Sequence, residues 1–121
     1  MKILVCGGRN YDNKLDLFRA LDKFNEERDI TELVHGAAPG ADLLAQEWAM
    51  SRQKIYHGHP ARWKKERLAA GPIRNAEMLE LHPDIKWLIA FEGGRGTQNM
   101  MSKAAGKGIR IWIPYEFQIK E

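Results

Sequence analysis

The stretch of the chain with the clearest chemical potential is Gly93-Gly94-Arg95-Gly96-Thr97. It follows the apolar run Trp87–Phe91, which predicts a buried strand, and it precedes Met100–Ala105, which predicts a helix. Glycines carry no Cβ, so a bound group can approach their backbone closely. Unpaired N–H groups at the start of a helix attract anions, and Thr97 is placed to cap this helix and donate its hydroxyl to the same anion. The stretch therefore predicts a phosphate site, with a merely tight turn as the alternative.

Two further glycine turns follow predicted strands. Gly7-Gly8-Arg9 comes after the first apolar run, and Gly36–Gly40 comes after the second. The carboxyl ends of parallel strands lie at one edge of a sheet, where ligands bind at the point of strand-order reversal. The residues expected to line one shared pocket are Gly7, Gly8, Arg9, Gly36, Gly40, Gly93, Gly94, Arg95, Gly96 and Thr97.

Arg74 and Asn75 are the strongest side-chain candidates outside these turns. Pro72 predicts the first position of a helix, which places both residues in its first turn. A guanidinium there opposes the helix dipole, and a bound anion would compensate for it. A surface salt bridge is the alternative for Arg74, and an ordinary solvated loop residue is the alternative for Arg9.

Three carboxylates lie near the predicted pocket. Asp42 occurs at the start of a predicted helix, where it would act as a cap or dipole partner, or accept hydrogen bonds from ribose hydroxyls. Glu92 and Glu77 are the other two, and the spacing does not distinguish them. A catalytic role for a carboxylate thus stays open among these three.

Alternating elements position these residues. Apolar runs predict five strands: Lys2–Cys6, Thr31–His35, Lys54–His57, Lys86–Phe91 and Ile109–Ile113. Helical spacing predicts helices at Lys14–Arg28, Ala41–Arg52, from Pro72 through Leu79, and Met100–Ala105. The tail Tyr115–Glu121 carries no strong pattern. This order predicts an α/β fold with a mostly parallel five-stranded sheet covered on both faces.

Composition limits the class of protein. The chain has 121 residues, 44% hydrophobic and 29% charged, which is ordinary for one globular domain over 1–121. Its single cysteine, Cys6, lies in an apolar strand and is expected to be a buried hydrophobe in a reducing compartment. No apolar run reaches membrane-spanning length, so we expect a cytoplasmic protein with no membrane partner. The net charge of +3 suits an anionic ligand without requiring nucleic acid.

Three other features can be explained without a bound ligand. The four histidines lack a known ligand spacing, so no metal is expected. Trp63 either stacks on a base or fixes its loop to the core. The basic segment from Arg52 to Arg67 suits single-stranded DNA, but acidic residues interrupt it and a solvated helix face explains it too.

Taken together, these motifs resemble the SMF/DprA-LOG superfamily, called SLOG, and within it the YspA-type branch. The resemblance covers roughly Lys2 to Ile113 and rests on the first turn, on His35–Asp42, on Arg74–Met78 and on Gly93–Thr97. It implies a Rossmann-like three-layer fold that binds nucleotides or nucleotide-derived molecules. In the LOG branch it implies a phosphoribohydrolase that splits nucleoside 5′-monophosphates, and it also implies a homodimer. DprA proteins use the same fold to hold single-stranded DNA.

Two LOG motifs are matched with departures. Arg-Lys-x-x-Met is similar to Arg74, Asn75 and Met78, with asparagine in place of lysine. Pro-Gly-Gly-x-Gly-Thr-x-x-Glu is similar to the stretch from Glu92 to Met100, where Glu92 replaces the proline and Met100 replaces the catalytic glutamate. Glycosidic cleavage needs a carboxylate to stabilise the sugar cation or orient water, and methionine does neither.

The sequence therefore predicts a protein that binds a nucleotide or nucleotide-derived phosphorylated ligand, as a sensor or sequestering protein. No cofactor is expected. The first alternative is a LOG-like hydrolase whose catalytic groups are Arg74, Glu92 and Asp42. The second is single-stranded DNA binding.

Overall fold

The computed structural model describes residues 1–114. Its strands are β1 (Lys2–Cys6), β2 (Glu32–His35), β3 (Ile55–Gly58), β4 (Ile85–Ala90) and β5 (Arg110–Trp112). Its helices are α1 (Lys14–Arg28), α2 (Ala41–Ser51), α3 (Trp63–Glu66), α4 (Ala70–Leu81) and α5 (Arg95–Gly106), with a 3₁₀ turn at Arg67–Ala69. The predicted tail Tyr115–Glu121 lies outside the described residues.

All five strands form one parallel sheet in the order β3-β2-β1-β4-β5. The central strand β1 pairs with β2 on one side and β4 on the other, so that Ile3 lies opposite Leu33 and Leu4 opposite Leu88. The predicted α/β class and Rossmann-like three-layer architecture are confirmed. Because β1 and β4 are neighbours in the sheet but distant in sequence, the strand order reverses between them.

Two apolar layers enclose the sheet, one on each face. Ile3 and Val5 of β1 pack with α1 and α2, where Leu17, Leu21 and Trp48 are fully buried. Leu4, on the alternate face of β1, packs with α4 and α5. This alternation follows from the two-residue period of a strand, and it explains why the strands read as continuous apolar runs.

Helices α4 and α5 begin earlier than the sequence indicates, at Ala70 and Arg95. Helix α4 begins at Ala70, so the predicted break at Gly71-Pro72 is wrong and Pro72 is the third helical residue. A proline is tolerated there because N–H groups of the first helical turn have no intrahelical acceptor. Arg74 is consequently the fifth residue of α4 and lies beyond the first turn.

The loops after β1, β2 and β4 contact one another at the carboxyl edge of the sheet. Gly8 N donates to Glu92 O at 2.8 Å, and Ala41 N donates to Gly8 O at 3.2 Å. Gly40 has φ of +83°, and a Cβ built there would lie 2.2 Å from Gly8 O. The close approach of the first two loops thus depends on the absence of a side chain at Gly40.

We expect Gly40→Ala to lower the free energy of unfolding by about 2–4 kcal/mol, from backbone strain combined with the clash. Gly108→Ala is the matched control, because Gly108 also has positive φ, +75°, but a Cβ there meets nothing within 4 Å. Urea denaturation of both variants measures the difference. Equal losses of stability in Gly40→Ala and Gly108→Ala would show that the close approach of the loops does not contribute to stability.

Within residues 1–114 no helix combines the length and the apolar character needed to cross a membrane.

Candidate functional site

The candidate site lies where the strand order reverses, between the carboxyl ends of β1 and β4. The Gly7-Gly8 turn follows β1 and the Glu92–Gly94 turn follows β4, and Gly8 N donates to Glu92 O. A Cβ built on Gly93 would lie 2.7 Å from Gly8 N. The two predicted turns therefore form one continuous surface.

The first turn of α5 provides free backbone donors at this surface. The helix begins at Arg95, its N-cap is Gly94, and no side chain caps it. The first N–H groups of an α-helix have no intrahelical acceptor, which applies here to Arg95, Gly96 and Thr97. A Cβ built on Gly94 or on Gly96 would meet nothing within 4 Å, so the space on the side-chain side of these two residues is open.

Thr97 does not cap the helix, contrary to the sequence prediction. It is the third residue of α5, because the helix begins before the predicted Met100. Its side chain is buried, with Oγ1 only 2.1 Å from where a Cβ of Gly93 would lie. Thr97 thus fills the space under the glycine turn, and its backbone N–H is the group available to an anion.

The glycines of the predicted pocket divide into two groups. A Cβ at Gly7, Gly8, Gly36, Gly40 or Gly93 would approach another part of the protein to 3.0 Å or less. These five glycines allow loops and side chains to pack closely. Gly94 and Gly96 have open space beside them instead, so no close packing within the described part of the chain accounts for the absence of a side chain there.

Arg74 reaches the site from α4 and is half-buried. Its Nη1 donates to Gly36 O and, at 3.4 Å, to His59 O, while Nε donates to Asn75 Oδ1 at 3.0 Å. Among residues 1–114, Nη2 has no acceptor. The guanidinium is therefore fixed by the loops after β2 and β3 and keeps one donor group for a ligand.

Arg9 supplies a second positive charge from the loop after β1. Burial lowers the pKa of Arg74, and Arg9 lowers it further while Asp42 opposes the change. An anion bound between two guanidinium groups would reduce the repulsion between their positive charges. Arg9 is exposed and, within the described residues, its side chain forms no ion pair or hydrogen bond, only a contact with the ring of Trp63.

Asp42 is the buried carboxylate of the site. It is the second residue of α2, and its Oδ2 accepts hydrogen bonds from Gly36 N at 3.1 Å and Ala38 N at 3.2 Å. Burial raises its pKa to about 6, although these amides and Arg74 act in the opposite direction. Asp42 thus fixes the loop after β2 and titrates near neutral pH.

The raised pKa of Asp42 predicts a specific pH dependence. The folded protein, with a pKa of about 6, binds this proton more tightly than the unfolded chain, whose value is 3.8, so stability falls as pH rises through 4 to 6. We expect Asp42→Asn, which keeps an oxygen for the two amides, to lack this loss and to exceed the wild type by about 1–3 kcal/mol at pH 7.5.

Urea denaturation of both proteins at pH 4 and pH 7.5 measures this effect. Other groups titrate equally in the two proteins, so the difference between them reports Asp42. A difference that does not change with pH would contradict the assignment.

Asn75 connects α4 to the first turns of α5. Its side chain is buried, and Nδ2 donates to Asn99 Oδ1 at 3.1 Å and to Gly96 O at 3.4 Å. Asn75 therefore orients α5, and Asn99 is a partner that the sequence did not single out. The only sequence signal for Asn99 is its position three residues after Gly96 on the same helix face.

The other predicted acidic residues are less well placed. The side chain of Glu92 is exposed, and Glu77 forms an exposed ion pair with Arg62. Met100, at the position of the LOG glutamate, is 1% exposed and packs in the core between the sheet, α4 and α5. This position thus contributes to folding, and Asp42 is the carboxylate that accompanies Arg74.

The histidines do not form a metal centre in the part of the chain that the structure describes. His59 and His82 share a hydrogen bond of 2.8 Å between their Nε2 atoms, and His57 bonds Glu32. Burial lowers the pKa of both His59 and His82. Burial also raises the pKa of Cys6 well above its ordinary range, which suits a thiol packed against the core.

A groove of about 460 Å³ lies at the opposite edge of the sheet, where β4 and β5 begin. It is lined by Leu79, His82, Pro83, Ile85, Lys86, Lys107, Gly108 and Ile109. The groove adjoins the carboxyl ends of α4 and α5, where the helix dipole disfavours anions. The size of a groove therefore does not by itself identify an anion site in this protein. The free backbone N–H groups lie at the carboxyl edge of the sheet instead.

Comparisons with known proteins agree with this architecture. A family model described as "YspA, cpYpsA-related SLOG family" matches residues 1–65, which include the first two glycine turns. The Gene 61 protein of Mycobacterium phage D29 is 32% identical over 118 residues, covering 91% of this chain and 93% of its own length. No solved structure gives a significant match. The resemblance inferred from the motifs is confirmed, and the chain belongs to the YspA, cpYpsA-related SLOG family.

Proposed function

We propose that the protein binds a nucleotide or a nucleotide-derived phosphorylated molecule at the carboxyl edge of its sheet, as a sensor or sequestering protein. Membership in the SLOG family is consistent with nucleotide-related binding. The observation that carries the proposal is the uncapped first turn of α5, open at Gly94 and Gly96, on the same edge as Arg74 and Arg9.

The phosphate accepts hydrogen bonds from the amides of Arg95–Thr97 in this proposal. The positive end of the α5 dipole favours the negative charge, and Nη2 of Arg74 donates to a phosphate oxygen. Arg9 adds the second guanidinium. Asp42 holds the loop from Gly36 to Ala38, and Arg74 contacts the same loop at Gly36 O.

Hydrolysis of a nucleoside 5′-monophosphate is the second candidate, and one observation favours it. Asp42 is a buried carboxyl group with a pKa of about 6, a value suited to proton transfer near neutral pH. In this reaction the C1′–N bond breaks, water adds its oxygen to C1′, and the released base takes up a proton. Asp42 would then take the role of the catalytic glutamate of LOG enzymes, whose position is occupied by Met100 in this chain.

Single-stranded DNA is less well supported. Arg62 of the basic segment is engaged by Glu66 at 3.0 Å and by Glu77. This pairing reduces the charge available to a nucleic-acid backbone. An affinity for oligonucleotides that falls steeply with salt would favour DNA over a small nucleotide.

One experiment separates binding from hydrolysis. The protein is incubated with each of the common nucleoside 5′-monophosphates, its melting temperature is measured, and the mixture is analysed chromatographically for free base. We expect thermal stabilisation without release of base. Release of base that disappears in Asp42→Asn selects the hydrolase. The proposed function would be contradicted if none of these compounds, nor ADP-ribose, stabilised the protein or released free base.

A further inference from the structure

Trp63 is a large apolar side chain at the surface with no aromatic partner among residues 1–114. It begins the short helix α3 and is 47% exposed. Burial of its ring would be favourable, yet about half of it stays exposed in the described part of the chain. Its position next to the candidate site indicates a reason for this exposure.

Trp63 contacts both sides of the candidate site. Its Cη2 lies 3.5 Å from where a Cβ of Gly71 would be, so its outer edge lies over the start of α4. On the other side, Arg9 Cζ lies 5.8 Å from the centroid of its ring. Arg9 is the residue that interacts electrostatically with Arg74 and Asp42.

Helix α4 relates this aromatic ring to the phosphate donors. Gly71 and Asn75 are four residues apart, which places them on one face of the helix about 6 Å apart along its axis. Gly71 lies under Trp63, and Asn75 bonds Gly96 O in the first turn of α5. The residues of α4 that contact the indole and the first turn of α5 thus lie one helical turn apart on the same face.

An ion pair next to Trp63 adds to the contact of its ring with α4. Arg62, the residue before α3, pairs with Glu66 of α3 and with Glu77 of α4. These pairs join α3 to α4, and 47% of Trp63 stays exposed beside them. A planar surface that is held in place and half exposed suits stacking with an aromatic ligand.

We propose that Trp63 is the base-binding residue of the site, stacking on the nucleobase of the molecule whose phosphate lies on the first turn of α5. This inference rests on the proposed function and restricts its ligand: a base is required, and a sugar phosphate alone binds weakly. Stacking does not distinguish among bases, because every base has a π-face. Trp63 therefore favours ligands that carry a base but does not determine which base it is.

The test compares AMP with ribose 5-phosphate by isothermal titration calorimetry on the wild type, Trp63→Phe and Trp63→Ala. We expect the wild type to prefer AMP at least about tenfold, and Trp63→Ala to lose about tenfold in AMP affinity with ribose 5-phosphate unchanged. Trp63→Phe, which keeps an aromatic face, retains most of the AMP affinity. Melting temperatures confirm that each variant is folded.

Each failure has its own result. Unchanged AMP affinity in Trp63→Ala, or equal losses for AMP and ribose 5-phosphate, overturns the inference and leaves the phosphate site standing. If the wild type binds neither these two compounds nor any of the other nucleoside 5′-monophosphates or ADP-ribose, both the proposed function and the inference are wrong.

Discussion

Arg74→Ala is expected to weaken the binding of AMP by about 10- to 100-fold, the loss typical of a hydrogen bond to a charged group. Arg74 is the half-buried cation of the site, and its Nη2 is free of protein acceptors within residues 1–114. Binding is measured by titration calorimetry. A smaller effect on the melting temperature is expected too, because Nη1 holds the carbonyl groups of Gly36 and His59.

Two variants control for charge and for folding. Arg28→Ala removes the same charge at the end of α1, beside Glu27, and should leave AMP affinity within about twofold. Arg74→Lys keeps the charge but lacks the planar fork that reaches Gly36 and a phosphate together, so it should recover little affinity. If Arg74→Ala binds AMP as well as Arg28→Ala does, the phosphate does not contact Arg74.

Gly96→Val is expected to abolish most AMP binding, at least tenfold by loss of hydrogen bonds to the charged phosphate, while the protein stays folded. A Cβ at this position meets no protein atom within 4 Å, so the valine side chain enters the open space beside the free amides of α5. Valine has a higher helix propensity than glycine, so the free energy of unfolding should change by less than about 0.5 kcal/mol.

Gly106→Val is the matched control because it makes the same substitution at the other end of the same helix. A Cβ at Gly106 also meets nothing within 4 Å. The two variants therefore differ in proximity to the proposed phosphate and not in the space available. Titration with AMP should separate them clearly, and equal affinities would place the phosphate elsewhere.

Much of the fold can be predicted because each strand is a short apolar run bounded by glycine or polar residues. Both bounds of β1 and α1 follow from such local signals. The start of α4 could not be predicted in this way. Gly71 and Pro72 favour a helix boundary locally, and tertiary packing of Ala70 against the rest of the protein overrides that preference.

The residues of the candidate site could be proposed from the sequence, but the details of their arrangement could not. Glycine turns after parallel strands predict a common edge, and the contacts among Gly8, Gly40 and Glu92 agree with it. The orientation of Asp42 toward the amides of Gly36 and Ala38 depends on the path of a loop, which has no sequence period. The burial of Met100 likewise depends on how α5 packs on α4.

A phosphate on the first turn of α5 can be detected most directly by a ¹⁵N–¹H NMR titration of the labelled protein with AMP and, separately, with adenosine. We expect AMP to shift the amide resonances of Gly94, Arg95, Gly96 and Thr97 most strongly. We expect adenosine, which lacks the phosphate, to leave them nearly unchanged. Largest shifts at Lys86 and Lys107 in the opposite groove, or equal shifts with adenosine, would contradict this position of the phosphate.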